Sequence, residues 1–136
     1  MSLFIWYNTY SVNNEELDNH HKALLDIINR LYDNCIGKDK PNCLDPIVDE
    51  LVSYSNYHFT AEEQHMRNIS FNDIDKHISA HRGFTQRTLR LQKVSNKNDI
   101  EITKDLIVFL GNWICHHVME EDKKYAILFE IRQCQP

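Results

Sequence analysis

The sequence predicts an all-α fold, an up-down-up-down antiparallel four-helix bundle with an N-terminal arm. Three observations carry this. Only three glycines and three prolines punctuate 136 residues. Apolar residues recur at steps of three and four over long windows, whereas the period-two alternation of strands is almost absent. The helical windows are about 20 residues long and joined by short polar breaks, which favours antiparallel neighbours. With no internal repeat, residues 1–136 read as a single domain.

The arm takes residues 1–13, with Phe4, Trp6 and Tyr7 available to lie against the bundle. The first helix is expected over about 14–35, because Leu17, His21, Leu24, Ile28, Leu31 and Cys35 fall on one seam, and Gly37 stops it. The second is expected over 45–68. Asp45 serves as its cap and Pro46 occupies the first turn, where a missing N–H costs nothing. Its seam carries Ile47, Leu51, Tyr54, His58 and Glu62. The third starts near Asn72 or Asp73 and runs over about 73–94, with Ile74, His77, His81, Phe84, Thr88 and Leu91 in line. The polar breaker SNKND separates it from a fourth helix over about 102–129.

Composition narrows the function classes. A net charge of −5 gives no long-range attraction to phosphate backbones or anionic headgroups, so neither nucleic acid nor membrane is expected as a partner. Arg82, Arg87, Arg90 and Lys93 form a basic stripe without interleaved aromatics and read as a solvated helix face. No apolar run is long enough to span a bilayer, and Leu3 to Tyr7 is too short for an export signal, so a cytoplasmic location is expected. Cys35, Cys43, Cys115 and Cys134 form no CxxC pair and read as reduced thiols, although Cys35 and Cys43 flank one loop.

The chemistry lies in the histidines. His21, His58, His77 and His81 replace apolar residues on core-facing seams, and His117 continues the line of Leu106, Leu110 and Trp113. Burying one unpaired imidazole costs about 1–3 kcal/mol, and a single core histidine usually finds a hydrogen bond. Five from four helices cannot all use backbone carbonyls that the helices already occupy. A metal satisfies them together. HISAH places His77 and His81 at i and i+4, HFTAE does the same for His58 and Glu62, and antiparallel packing lets His21 and His117 converge on the same level.

With these motifs assembled, the chain resembles the hemerythrins, most closely the single-domain bacteriohemerythrins. The resembling segments are WYNTYSV, LDNHHK, YHFTAEE, HISAH and WICHHVMEEDKKY, in the family's order from Trp6 to Tyr125. The resemblance implies two non-haem iron ions (Fe2+/Fe3+) with a bridging oxo or hydroxo group. His77, His81 and His117 would bind one iron and His21 and His58 the other, with Glu62 and Asp122 bridging both. This set fills eleven of twelve octahedral positions, and the open one, on the two-histidine iron, would take dioxygen. Leu24, Phe59 and Ile114 would line the oxygen pocket, although their spacing alone indicates only core packing. The function so implied is reversible dioxygen binding for storage, delivery or sensing. That is an oxygen-binding protein rather than an enzyme, with dioxygen as ligand and an oxidase or a signalling protein as partner.

Some points stand apart from the resemblance. Asp122 follows His117 by five residues, about 140° around a straight α-helix, so its role requires a local widening or break. Glu121 is the alternative ligand. His20, His65 and His116 are expected at the surface or beside the ligands, not among them. The competing enzyme reading is a di-iron oxidase or peroxidase, or a nitric oxide-handling enzyme, in which Glu62 and His65 form one ExxH pair and Asp18 and His21 are the nearest approach to a second. Structural zinc is a third reading, but it would use only four of seven donors.

Overall fold

The computed structural model describes residues 3–37, 44–96 and 99–133. Cys43 and Cys134 lie outside them, so the expectation that Cys35 and Cys43 are reduced thiols rather than a pair falls outside the described residues. A short 3-10 turn, Asn8–Tyr10, is followed by α1 (Glu15–Gly37), α2 (Asp45–Asn68), α3 (Ile74–Asn96) and α4 (Ile100–His117). A π-helical turn, Val118–Asp122, then joins α4 to α5 (Lys123–Gln133). The expected fourth helix is therefore a longer segment, from Ile100 to Gln133, with its phase reset in the middle. No strand occurs among the described residues. None of the helices there is long and apolar enough to cross a membrane.

Local sequence sets the helix ends. Asn14 Oδ1 accepts from the Leu17 amide at 3.1 Å and caps α1, and Asp99 Oδ1 accepts from the Ile102 amide at 3.2 Å and caps α4. At α2 the expectation is corrected. Leu44 holds the cap position without a side-chain bond, and Asp45 is already inside the first turn. There its charge faces the positive end of the helix dipole instead of bonding an amide. After α2, Ser70 takes a left-handed φ of 55° and the Phe71 amide reaches back to the Met66 carbonyl at 2.9 Å. This closes α2 with a Schellman turn and sends α3 back along it.

Each helix packs on two neighbours, α1 with α2 and α4, and α3 with α2 and α4, the square section of a four-helix bundle. The seam of α1 is buried as its periodicity indicates, as are Phe84, Thr88 and Leu91 of α3. In α2 the core face is rotated from expectation. Val48 and Ser55 are buried, whereas Ile47 and Tyr54 are half-buried. Ser55 tolerates burial because its hydroxyl donates to the Val52 carbonyl at 3.1 Å. Arg82, Arg87, Arg90 and Lys93 are exposed on α3.

The arm is fixed to the bundle. Asn29 accepts from the Phe4 amide through Oδ1 and donates to the Phe4 carbonyl through Nδ2, both at 2.8 Å. The Phe4 ring fills the space beside Gly111, where a Cβ would lie 2.1 Å from the ring. Further along, Asp18 accepts from the Ser11 hydroxyl at 2.6 Å and the Val12 amide at 2.8 Å. Trp6 is thereby laid against His21, with ring centroids 6.4 Å apart.

Candidate metal centre

Each wall of the bundle contributes side chains to one buried point. α1 supplies His21, α2 supplies His58 and Glu62 one turn apart, α3 supplies His77 and His81 one turn apart, and α4 supplies His117 at its last residue. Asp122 comes from the π turn. Widening the helix there by one residue per turn brings positions five apart onto one side, which a straight α-helix does not do. All seven are at least 95% buried, and the two carboxylates are wholly so.

Their ligand atoms form two groups, one of Glu62, His77, His81, His117 and Asp122 and one of His21, His58 and Glu62, each lying within 4.8 Å. Glu62 belongs to both. Its Oε1 lies 3.0 Å from His77 Nε2 and 2.9 Å from His81 Nε2, and its Oε2 lies 3.3 Å from His21 Nε2 and 3.1 Å from His58 Nε2. Asp122 repeats the division. Its Oδ1 approaches His77 at 2.7 Å and His117 at 3.1 Å, and its Oδ2 approaches His21 at 3.2 Å.

Hydrogen bonding alone does not satisfy this cluster. His77 Nε2 carries at most one proton, yet faces Asp122, Glu62 and, at 3.0 Å, another ring nitrogen, His117 Nε2. Both Asp122 oxygens, although close to imidazole nitrogens, receive no aligned hydrogen bond among the described residues. Convergent lone pairs around two buried negative charges fit cations held between them.

Electrostatics gives the same balance. Burial alone would raise the carboxyl of Glu62, but His58, His21 and His77 outweigh it and hold it well below the ordinary range. Asp122 is likewise lowered, its histidine contacts overcoming burial and the charge of Glu62. Burial disfavours charge on His21 and His77, yet the close carboxylates of Asp122 and Glu62 prevail and raise both to about 9. Protons on these histidines thus supply positive charge beside the two buried carboxylates.

The surrounding side chains orient the rings. Phe59 stacks on His81 with centroids 3.9 Å apart, and Trp113 stacks on His117 at 4.4 Å. Glu63 lies 2.8 Å from His81 Nδ1. The Tyr125 hydroxyl donates to Glu62 Oε2 at 3.1 Å, and burial raises its own ionisation well above the ordinary value. Sequence reasoning did not single out Tyr125, Trp113 or Glu63. The signal for Glu63 was its place directly after Glu62, and for Tyr125 its place three residues after Asp122.

Leu24, Phe59 and Ile114 are all buried, Leu24 three residues beyond His21 and Ile114 three before His117. Glu121 is not in either group and pairs with Lys124 at 3.2 Å. His65 is half-buried against Tyr125 and Phe129, and Asp18 is occupied by Ser11 and Val12, so neither ExxH-type pair brings both of its members into the cluster, Glu62 and His21 each entering it alone. His116 is exposed. His20 is buried, with Nδ1 3.1 Å from His58 Nδ1.

A four-helix bundle that gathers five histidines and two carboxylates at one dry point defines a histidine-rich, cation-binding bundle protein. Residues 12–128 match the family model described as the Hemerythrin HHE cation binding domain. The chain belongs to the hemerythrin family. It is 32% identical over 124 residues to a hemerythrin-like protein of Naegleria gruberi, covering 91% of this chain and 92% of that one. It is 26% identical to the bacteriohemerythrin of Clostridium acetobutylicum, covering 90% of this chain and 98% of the relative. Among solved structures, a wild-type hemerythrin superposes with a TM-score of 0.83 at 25% identity, over 93% of this chain and 98% of that one.

Proposed function

We propose that His77, His81 and His117 hold one iron ion, that His21 and His58 hold a second, that Glu62 and Asp122 bridge the two, and that the chain binds dioxygen reversibly there. The observation that carries this reading is the division of Glu62, one oxygen facing His77 and His81 and the other facing His21 and His58. When bound, the iron pair supplies the electrons that let dioxygen attach and leave again.

The chain's own residues set the terms. With three histidines on one side and two on the other, fewer protein donors would hold the iron on the side of His21 and His58, and dioxygen would be taken up there. Leu24, Phe59 and Ile114 form an apolar wall that keeps water out. Tyr125 stays protonated and keeps donating to Glu62 Oε2, which holds the carboxylate turned between the two histidine groups.

Storage, delivery and sensing all draw on this one property, with an oxidase or a signalling protein as the partner for the last two. An oxidase reading would need the ExxH carboxylate–histidine pairs in the site, and the surroundings of His65 and Asp18 argue against it. The deciding experiment is metal content with an optical spectrum under air and then argon. Two irons and a reversible oxygen band support the reading, and irreversible oxidation in the first air exposure overturns it.

A further inference from the structure

His20 is 5% exposed, closed in by Tyr57 and Tyr54 with ring centroids at 5.0 and 5.9 Å. Its Nδ1 lies 3.1 Å from His58 Nδ1, with the two rings nearly perpendicular at 89°. A contact between two ring nitrogens at that distance holds one proton, so one histidine donates and the other accepts. His58 is committed on its far side, where Nε2 lies 3.1 Å from Glu62 Oε2. His20 faces outward on its far side, where Nε2 lies 3.9 Å from the exposed Glu16 carboxylate. By contrast, His21 Nδ1 has no hydrogen-bond partner among the described residues.

Two arrangements of the pair follow. Without metal, Glu62 can only accept, so His58 carries its proton on Nε2. Its Nδ1 then accepts from His20 Nδ1–H, and His20 Nε2 is bare. A metal at His58 needs the Nε2 lone pair. The Nε2 proton then leaves, the shared proton crosses from His20 to His58, and His20 takes a proton from solvent at Nε2, on the side of Glu16. One proton leaves the pair and one enters, so both rings stay neutral.

We propose that His20 is the positioning residue for His58, and that the two histidines exchange tautomers as a unit when metal enters the His21–His58 side. The proposal rests on the reading that His58 Nε2 binds metal. It assigns His20 two states, donor to His58 in the metal-free chain and acceptor in the loaded one. A glutamine can fill both by turning its amide, and a leucine can fill neither.

The test uses the full chain with 15N-labelled imidazoles, metal-free and then loaded with zinc as a diamagnetic probe. Nitrogen shifts distinguish protonated from bare ring positions. On loading, the proton should move from Nε2 to Nδ1 in His58 and from Nδ1 to Nε2 in His20. Zinc affinity of the His21–His58 side should fall on the order of 10–100-fold in His20→Leu and be restored in His20→Gln. If His58 loads while the His20 nitrogens keep their metal-free pattern, the relay is overturned and the ligand assignment stands. The relay is also overturned if His20→Gln folds and loses as much affinity as His20→Leu. If wild-type His58 takes up no metal at Nε2, the ligand assignment itself falls, and the relay with it.

Discussion

Asp122 follows His117 by five residues, yet its Oδ1 lies 3.1 Å from the His117 Nε2. The π turn from Val118 to Asp122 makes this possible by adding one residue to the turn between them. Glu121, one position earlier, turns partly outward to Lys124.

The two neighbouring carboxylates therefore separate in a direct comparison. Asp122→Ala removes a carboxylate that approaches His21, His77 and His117, and metal affinity should fall by at least about tenfold. Glu121→Ala loses only a surface pair, so bound metal should be unchanged and stability should shift by less than about 0.5 kcal/mol. Titration of both variants with metal, read by bound stoichiometry, checks this. Equal losses in the two variants would mean that the π turn does not select Asp122.

Much of this site is legible in the sequence because histidine is conspicuous on an apolar seam. His21, His58, His77, His81 and His117 each interrupt a run of buried positions, and the i, i+4 spacings of His58 with Glu62 and His77 with His81 need only a regular helix. Asp122 is not legible that way, since phase along a straight helix places it elsewhere and nothing in VMEED announces a π turn. Periodicity also misleads in α2. Ile47 and Tyr54 look more apolar than Ser55, but a small hydroxyl bonded to its own helix packs inward at little cost. His20 adjoins His21, and sequence alone leaves it at the surface or beside the ligands. Its burial between two tyrosines emerges only from the packing of α1 on α2.

Ligand and wall residues should fail differently. His77→Ala removes one arm of the His77–His81 chelate, so assembly of two irons should fail or be severely weakened. Ile114→Ala touches no ligand. It should cost about 2–4 kcal/mol of stability by leaving a cavity, keep both irons, and shorten the life of the oxygenated form by admitting water. Iron content beside the decay time of the oxygen band, well below the melting temperature, distinguishes the two. Iron loss in the Ile114 variant with a normal band in the His77 variant would reverse both assignments.

The raised values of His21 and His77 fix the sign of the pH dependence. Each is about 9 in the metal-free chain, above the ordinary 6.5. Protonation therefore stabilises the metal-free fold fully below about pH 6.5, and that contribution disappears as pH rises through about 9. Metal binding runs the other way, because it must displace these protons. Loading at pH 7.5 should release on the order of two protons per chain, seen as a binding enthalpy that depends on the buffer. Iron retention should weaken progressively as pH falls, steepening below about pH 6, where free histidine also competes. Buffer-independent loading enthalpy would contradict the assignment of His21 and His77 as ligands.

Under the proposed function, one chain closes two irons between five histidines and two carboxylates and holds dioxygen there without consuming it. Iron quantified per chain, with the optical spectrum of the reduced protein followed through air, argon and air again, tests this most directly. The expected result is two irons per chain and an oxygen band that appears in air, vanishes under argon and returns. One iron per chain, stoichiometric zinc from iron-replete cells, or a band that does not reverse would contradict it.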